Sequence, residues 1–156
     1  MPDTDVRTPD LKSWQDIFLQ RDLPLAYLML RATMGFHMIA HGSTRLPILR
    51  TFAAETREDF IGVTLLGLPL FQGWLVTLIA YVIPPVELII GLLLSVGFKT
   101  RIASTTGSAL FLVMMFGQVA RMNFATAHIM WFYVMVFAIL GALSFADRHS
   151  VDRMWK

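Results

Sequence analysis

The chain has 156 residues, of which 56% are hydrophobic and only 15% are charged. Soluble domains carry about 25% charged residues, so this composition indicates an integral membrane protein with a single helical domain over residues 1–156. The absence of cysteine excludes a dithiol mechanism, thiolate-bound iron–sulfur clusters and thiolate zinc sites in this chain. The net charge of +2 is modest and the basic residues form no patch, which argues against nucleic-acid binding.

The N-terminal residues 1–22 are polar and precede the first long apolar stretch. From Asp10, a candidate N-cap, the residues Leu11, Trp14 and Phe18 recur on one helical face with charges opposite. This pattern predicts a short amphipathic cytoplasmic helix at the membrane surface, and a solvated leader is the alternative. The segment lacks the early apolar region and the small-residue cleavage site of a signal peptide.

The first predicted membrane span covers residues 23–41 and carries Arg31 within its apolar run. Residues 43–73 follow and contain many of the charged side chains, which predicts a long outer loop before the next span. The apolar part of this loop, residues 60–71, is too short to cross a bilayer. We therefore expect an interfacial or re-entrant element there.

The second predicted span, residues 74–98, contains one charged residue, Glu87. At about 1.5 Å rise per residue it is long enough to cross a hydrocarbon core of about 30 Å. An acidic residue at the centre of a span costs roughly 2.5–3.5 kcal/mol, so we expect Glu87 to face protein and to have a partner. A rival span that begins at Phe60 would break at Pro84 and Pro85 and leave a remainder too short to cross.

The third and fourth predicted spans cover residues 102–122 and 127–146, which gives an all-α bundle of four transmembrane helices. An even number of spans places both termini on one side of the membrane. The basic residues expected on that side are Arg7, Lys12, Arg21, Lys99, Arg101, Arg148, Arg153 and Lys156, against Arg45, Arg50, Arg57 and Arg121 on the other. This excess predicts that both termini are cytoplasmic.

Two opposite charges are predicted to meet inside the bundle. Helix rise places Arg31 roughly 10–12 Å and Glu87 roughly 15 Å from the same inner boundary, and an arginine side chain covers the difference. We therefore predict a direct buried ion pair between them. Removing one partner would cost roughly 3–5 kcal/mol. Such a pair either locks two helices together or takes part in substrate or proton handling.

A second set of polar residues is predicted to gather in the outer half of the bundle. Histidine and tyrosine donors, a titratable group and an apolar slot are what a quinone headgroup requires. No carboxylate joins the two histidines of the first span, so we expect neither a metal nor a haem there. The candidate quinone-binding residues are His37, His41, Tyr81, Gln118, Arg121 and His128.

Several short motifs follow one another in a fixed order. They are Arg31-x-x-x-Gly35, His41-Gly42-x-x-Arg45, Pro85-x-Glu87-x-x-x-Gly91, Gly97-x-x-x-Arg101 and Asp147-Arg148-His149-Ser150. In order and spacing they resemble the DoxX family of small four-helix membrane proteins, over about residues 24–153, although family members usually have lysine in place of Arg45. The resemblance implies a bundle in the cytoplasmic membrane of a bacterium or archaeon. It marks as family positions Arg31, Gly35, His41, Gly42, Glu87, Gly91 and Arg101.

Relatives of this family include the membrane subunit of thiosulfate:quinone oxidoreductase. The resemblance therefore favours a membrane subunit of a redox complex that binds quinone, of the sulfur- or thiol-oxidising type, and at most the quinone site of an oxidoreductase. Electrons would come from a partner, because the chain has no cysteine, dinucleotide motif or haem-attachment motif. Besides lipid, we expect as partners further copies of the chain or other membrane or redox subunits.

Two other functions stay open at this level. One is a non-catalytic scaffold that stabilises a larger membrane complex through its small-residue faces and outer loop. The other is a small transporter or proton pathway, since an intramembrane arginine and glutamate serve either purpose. Four short spans without inverted repeats make a transporter the weaker alternative.

Overall fold

The computed structural model describes residues 15–16, 18–65, 68–69, 71–147 and 150–151. In this part of the chain a short π-helix, Phe18–Asp22, leads into the first of five α-helices. The α-helices are α1 (Leu23–Arg45), α2 (Leu49–Phe60), α3 (Gly73–Val96), α4 (Thr100–Ala120) and α5 (Phe124–Ala142). A 3-10 turn, Ser144–Ala146, follows α5.

Four of these helical segments are long and apolar enough to cross a membrane. They are Phe18–Arg45, Gly73–Val96, Thr100–Ala120 and Phe124–Ala142. This confirms the prediction of an all-α chain with four spans. α1 continues past the predicted end at His41 to Arg45, where its last turn carries a charge that has a partner inside the bundle. The predicted amphipathic helix falls largely on residues 1–14 and 17, which lie outside the described part.

The segment expected to be a long loop contains a helix. α2 buries Ala53 and half-buries Phe52, Thr56 and Phe60 on one face, while charged residues such as Glu55 stay exposed. This face packs against α3, so α2 covers one end of the bundle. We call this end the α2 end. Where an interfacial or re-entrant element was expected, β1 (Thr64–Leu65) and β2 (Leu68–Pro69) form a minimal antiparallel pair.

Helices α1 and α3 run antiparallel with their backbones in close contact, because glycines occupy the crossing. A Cβ on Gly91 would lie 2.7 Å from the backbone nitrogen of Ile39, and one on Gly42 would lie 2.7 Å from that of Leu88. Small residues allow this approach in membrane helices, where dispersion contacts drive association. The glycines therefore fix the register of α1 against α3.

Helices α4 and α5 form the second antiparallel pair of the bundle. The ring of Phe137 packs where Gly107 leaves room, and Phe137 itself is fully buried. The hydroxyl of Tyr27 on α1 donates a hydrogen bond of 3.1 Å to the Leu140 carbonyl of α5, which ties the two pairs together. This contact lies at the end of the bundle opposite α2, which we call the Asp147 end.

Candidate functional site

The predicted ion pair between Arg31 and Glu87 is wrong, although both side chains are buried and both have a partner. Arg31 Nη1 donates a hydrogen bond of 3.1 Å to Oδ2 of Asp147. Arg45 Nη1 donates to both carboxylate oxygens of Glu87, at 2.7 and 2.9 Å. Arg31 and Glu87 thus belong to two separate ion pairs, where one pair between them was expected.

The helix register explains this correction. A Cβ on Gly35 would lie 2.9 Å from the backbone nitrogen of Ser95, so Arg31 lies one turn further on, beside Gly97. Gly97 is separated from Glu87 by ten positions along the chain, or about 15 Å of helix. The predicted depths of Arg31 and Glu87 assume that α1 and α3 end at the same inner membrane boundary. In the structure the first two turns of α1 extend past the end of α3, so the depths do not match.

The pair at the Asp147 end is enclosed. The Thr100 hydroxyl donates to the same oxygen of Asp147, at 3.1 Å, as Arg31 does. Gly97 ends α3 with φ +74, and a Cβ there would overlap Arg31 Nη1. Buried ion pairs of this kind require additional hydrogen bonds to offset desolvation. This cluster closes one end of the bundle, and its geometry points to a structural role.

The pair at the α2 end borders an open space. The Arg45 side chain is 25% exposed, whereas that of Glu87 behind it is only 2% exposed. Arg45 lines a cavity of about 280 Å³ that is bounded by α2, α3, α4 and α5. We call this space the α2-end cavity. Its polar lining residues are Arg45, Thr56, Asp59, Gln118, Arg121 and Thr126.

Both arginines of the α2-end cavity have a carboxylate partner and an aromatic partner. Arg121 Nη1 lies 3.1 Å from Oδ2 of Asp59 on α2. The Arg45 guanidinium lies 5.2 Å from the ring centroid of Phe52, and that of Arg121 lies 5.1 Å from the centroid of Phe60. These contacts hold α2 on the bundle by cation–π and ionic attraction. The charges of the lining are therefore balanced.

The cavity lining presents N–H groups for which the described residues supply no acceptor. Only Nη1 of Arg45 donates to Glu87. In the described part of the chain, Nε and Nη2 of Arg45 have no acceptor. Gln118 Oε1 accepts a hydrogen bond of 3.1 Å from Asn123 Nδ2, which leaves the Gln118 amide N–H groups directed elsewhere. The lining is therefore rich in hydrogen-bond donors.

Asn123 is a positioning residue that was not among the predicted site residues. Its Oδ1 accepts a hydrogen bond of 3.3 Å from the Thr126 amide, so it caps α5 while its Nδ2 orients Gln118. An asparagine directly before an apolar helix is a preferred N-cap. That signal was present in the sequence, but the contact with Gln118 depends on the loop geometry.

The six candidate quinone-binding residues occupy three different places. Gln118 and Arg121 line the α2-end cavity. His37 and His41 are half-buried with ring centroids 4.4 Å apart, and His37 stacks on Tyr133 of α5 at 4.7 Å. They lie on the α1 stripe that leads to Arg45, and do not line the cavity.

The remaining two candidates, Tyr81 and His128, are exposed on the outside of the bundle. The side chain of His128 is rotated away because the neighbouring Ala127 takes the buried position of α5. The structure therefore places Tyr81 and His128 neither in the cavity with Gln118 and Arg121 nor beside His37 and His41. Among the described residues no group of three or more histidine, cysteine or acidic side chains could hold a metal ion.

The family model of DoxX matches residues 26–120, which is more than half of the 156-residue chain. The chain belongs to the DoxX family. With four apolar helices of spanning length, this DoxX protein is a multi-pass integral membrane protein. No curated protein and no solved structure matches the chain.

The DoxX match covers α1 to α4 and includes four of the positions that decide the geometry described above. Gly35, Gly42 and Gly91 lie at the α1–α3 contact, and Arg45 forms the pair beside the cavity. Arg101 is exposed at the start of α4. The family region therefore contains the cavity pair, while Asp147 lies beyond its end.

Proposed function

We propose that this DoxX protein binds a quinone headgroup in the α2-end cavity and serves as the quinone-binding membrane subunit of a redox complex. The observation that carries the proposal is the charge-balanced, donor-rich lining of a cavity within a membrane bundle. A quinone is a neutral ring with two carbonyl acceptors. A cavity that offers free N–H groups without net charge is complementary to such a molecule.

The size of the cavity supports a small headgroup. Ligand pockets commonly measure about 300–1,000 Å³, and the cavity of about 280 Å³ is just below this range. The rings of Phe52 and Phe60 on α2, and of Phe71 after it, supply aromatic walls. A single substituted ring therefore fits, whereas a long apolar tail must lie outside the cavity.

Arg45 and Gln118 are the residues that would hold the ligand oxygens. Glu87 fixes Arg45 by binding Nη1 through both carboxylate oxygens, so Arg45 can direct its remaining N–H groups to a ligand without reorganisation. Asn123 likewise fixes Gln118, by donating a hydrogen bond from Nδ2 to its Oε1. Arg121, balanced by Asp59, adds a third donor at the opening. When bound, a quinone supplies an acceptor for two electrons and two protons.

The chain depends on a partner for electrons, since it contains no cysteine. We propose a partner subunit of the sulfur- or thiol-oxidising type. We also propose that the Asp147 end faces the cytoplasm of a bacterium or archaeon, because Lys99 and Arg101 lie there and the sequence predicts the excess of basic residues on that side of the membrane. The α2-end cavity then opens towards the outer half of the cytoplasmic membrane.

Quinone titration of the detergent-purified protein tests this function. We expect a soluble benzoquinone to bind, and Gln118→Leu to weaken binding about tenfold because a fixed donor is lost. His128→Leu is the matched control, since this exposed side chain lies away from the cavity. Absence of binding, or an equal loss in both variants, would contradict the proposal and would favour a non-catalytic scaffold.

A further inference from the structure

The wall of the α2-end cavity includes one side chain that also faces the surroundings of the bundle. Val113 on α4 lines the cavity and is 56% exposed. Its neighbour Leu112 is also exposed but does not line the cavity. Val113 therefore lies where the cavity face of α4 meets its lipid face.

The α3 side of the cavity shows the same transition. Ile83 and Val76 line the cavity and are buried, whereas Ile79, between them, is half-buried. The nearby Leu78 and Val82 are exposed on the outer surface of α3. Ile79 and Val113 thus border the same gap between α3 and α4, and every side chain at this border is apolar.

We propose that the α2-end cavity takes a membrane-dissolved, tailed ligand, whose apolar tail leaves the cavity between α3 and α4 across Ile79 and Val113. This inference rests on the proposed function, because it describes how the quinone of that site reaches it. The ligand enters from the hydrocarbon layer and not from water. Its headgroup fills the cavity while its tail lies along the lipid-facing gap.

The architecture explains why the gap lies at this end. α3 and α4 are joined by the short connection 97–99, which holds them together at the Asp147 end. They pack together less extensively than α1 and α3 or α4 and α5 do. Two antiparallel helices that are tied at one end leave space at the other. The cavity occupies this space.

The side of the cavity that α2 covers is closed by ionic and aromatic contacts. α2 is attached through Asp59 to Arg121, and the rings of Phe60, Phe71 and Phe116 form an edge-to-face row with centroids 5.1 and 6.3 Å apart. A ligand coming from water would have to separate these contacts. A ligand coming from lipid would meet the apolar side chains of Ile79 and Val113, so its tail would exchange contacts with lipid for contacts with these side chains.

Reconstituted full-length protein allows a direct test with two probes, a decyl-tailed benzoquinone and its tail-less counterpart. Val113→Trp fills the gap, and we expect it to weaken binding of the tailed probe about tenfold, the equivalent of roughly two lost methylene contacts. The tail-less probe should lose clearly less affinity for Val113→Trp than the tailed probe does, because only the tail has to pass the indole ring. Ile79→Trp narrows the gap from the other helix and should give the same result.

Leu112→Trp is the matched control, because it adds the same side chain next to Val113 but outside the cavity wall. It should change neither affinity. Equal affinity of the tailed probe for Val113→Trp, Ile79→Trp and Leu112→Trp would overturn the inference while leaving the proposed function intact. An equal loss for both probes would also overturn it. Failure of both probes to bind the unaltered protein would instead reject the proposed function and the inference with it.

Discussion

Two arginines of α1 are each paired with a buried carboxylate, yet only one of the two pairs adjoins a cavity. At the Asp147 end the side chains of Arg31 and Asp147 are 3% and 6% exposed. At the α2 end Glu87 is equally buried, but Arg45 retains exposed surface that lines the cavity. A buried charge by itself therefore does not identify a functional site in this bundle.

The two pairs differ in whether the N–H groups of the arginine face filled or open space. At the Asp147 end the carboxylate is shared by Arg31 and Thr100, and the space beside Gly97 is filled by the guanidinium. At the α2 end Glu87 binds one nitrogen of Arg45 and thereby orients the others. Fixed donors next to empty space are what recognition requires, whereas the same donors in a filled space only stabilise the fold.

The largest expected effect is on the enclosed pair. Arg31→Met leaves the Asp147 carboxylate buried without its main partner, and we expect the free energy of unfolding to fall by about 3–5 kcal/mol. Unfolding in mixed micelles by sodium dodecyl sulfate titration measures this. Arg31→Met combined with Asp147→Leu should recover most of the loss, because two apolar side chains replace the pair. A loss no larger than that of the exposed Arg101→Met would contradict the account.

The second expected effect concerns the space around Arg31. Gly97→Ala strains a backbone with φ +74 and adds a Cβ that Arg31 can avoid only by leaving Asp147. We expect a loss of about 3 kcal/mol, of which about 1–2 kcal/mol is backbone strain. Gly62→Ala is the control, since Gly62 has φ +85 and nothing within 4 Å of its built Cβ. Equal losses in the two variants would show that Arg31 is not confined.

The matched substitution at the α2 end should lower the free energy of unfolding less than Arg31→Met does, but it should weaken quinone binding. Arg45→Met exposes Glu87 to a cavity that admits water, so we expect a loss of about 2 kcal/mol in the same unfolding titration. Quinone affinity should fall by about tenfold or more in this variant, because the fixed donors are gone. If Arg45→Met destabilised the protein as strongly as Arg31→Met, the proposed distinction between an enclosed structural pair and a pair beside the cavity would be wrong.

The smallest effect is expected at the rim of the cavity. Asp59 is about half exposed in its pair with Arg121, and such pairs contribute about 0–1 kcal/mol. Asp59→Asn should therefore lower the stability by less than about 1 kcal/mol, and the difference should shrink as salt screens the pair. Unfolding titrations at low and high ionic strength measure this. A loss that is large and independent of salt would place Asp59 in a buried network.

The four spans could be predicted because apolar length is a property of each segment alone. The predicted ends differ from the helix ends by a few residues, since caps such as Asn123 and the αL residue Gly97 set the boundaries. The charged residues of α2 dominate its composition, so the sequence predicts a loop there. Its half-buried positions nevertheless follow helical spacing, as Phe52, Thr56 and Phe60 show.

The partners of the buried charges could not be derived from one helix at a time. Which carboxylate meets Arg31 depends on the register of α1 against α3, and that register is set by glycine contacts between the helices. Gln118 and Arg121 are three positions apart, a spacing that puts them on one helical face, and both line the cavity. His37 and His41 are predicted near Gln118 and Arg121 only because all four lie in the outer half of the bundle. Depth in the membrane does not determine between which two helices a side chain lies.

The most direct test of the central claim is a side-chain-resolution map of the protein in lipid nanodiscs supplied with decyl-tailed benzoquinone. The account predicts ligand density in the α2-end cavity, within hydrogen-bond distance of Arg45 or Gln118, with the Arg31–Asp147 pair unchanged. Density instead beside His37 and Tyr133, or a cavity that stays without ligand at saturating quinone, would contradict it.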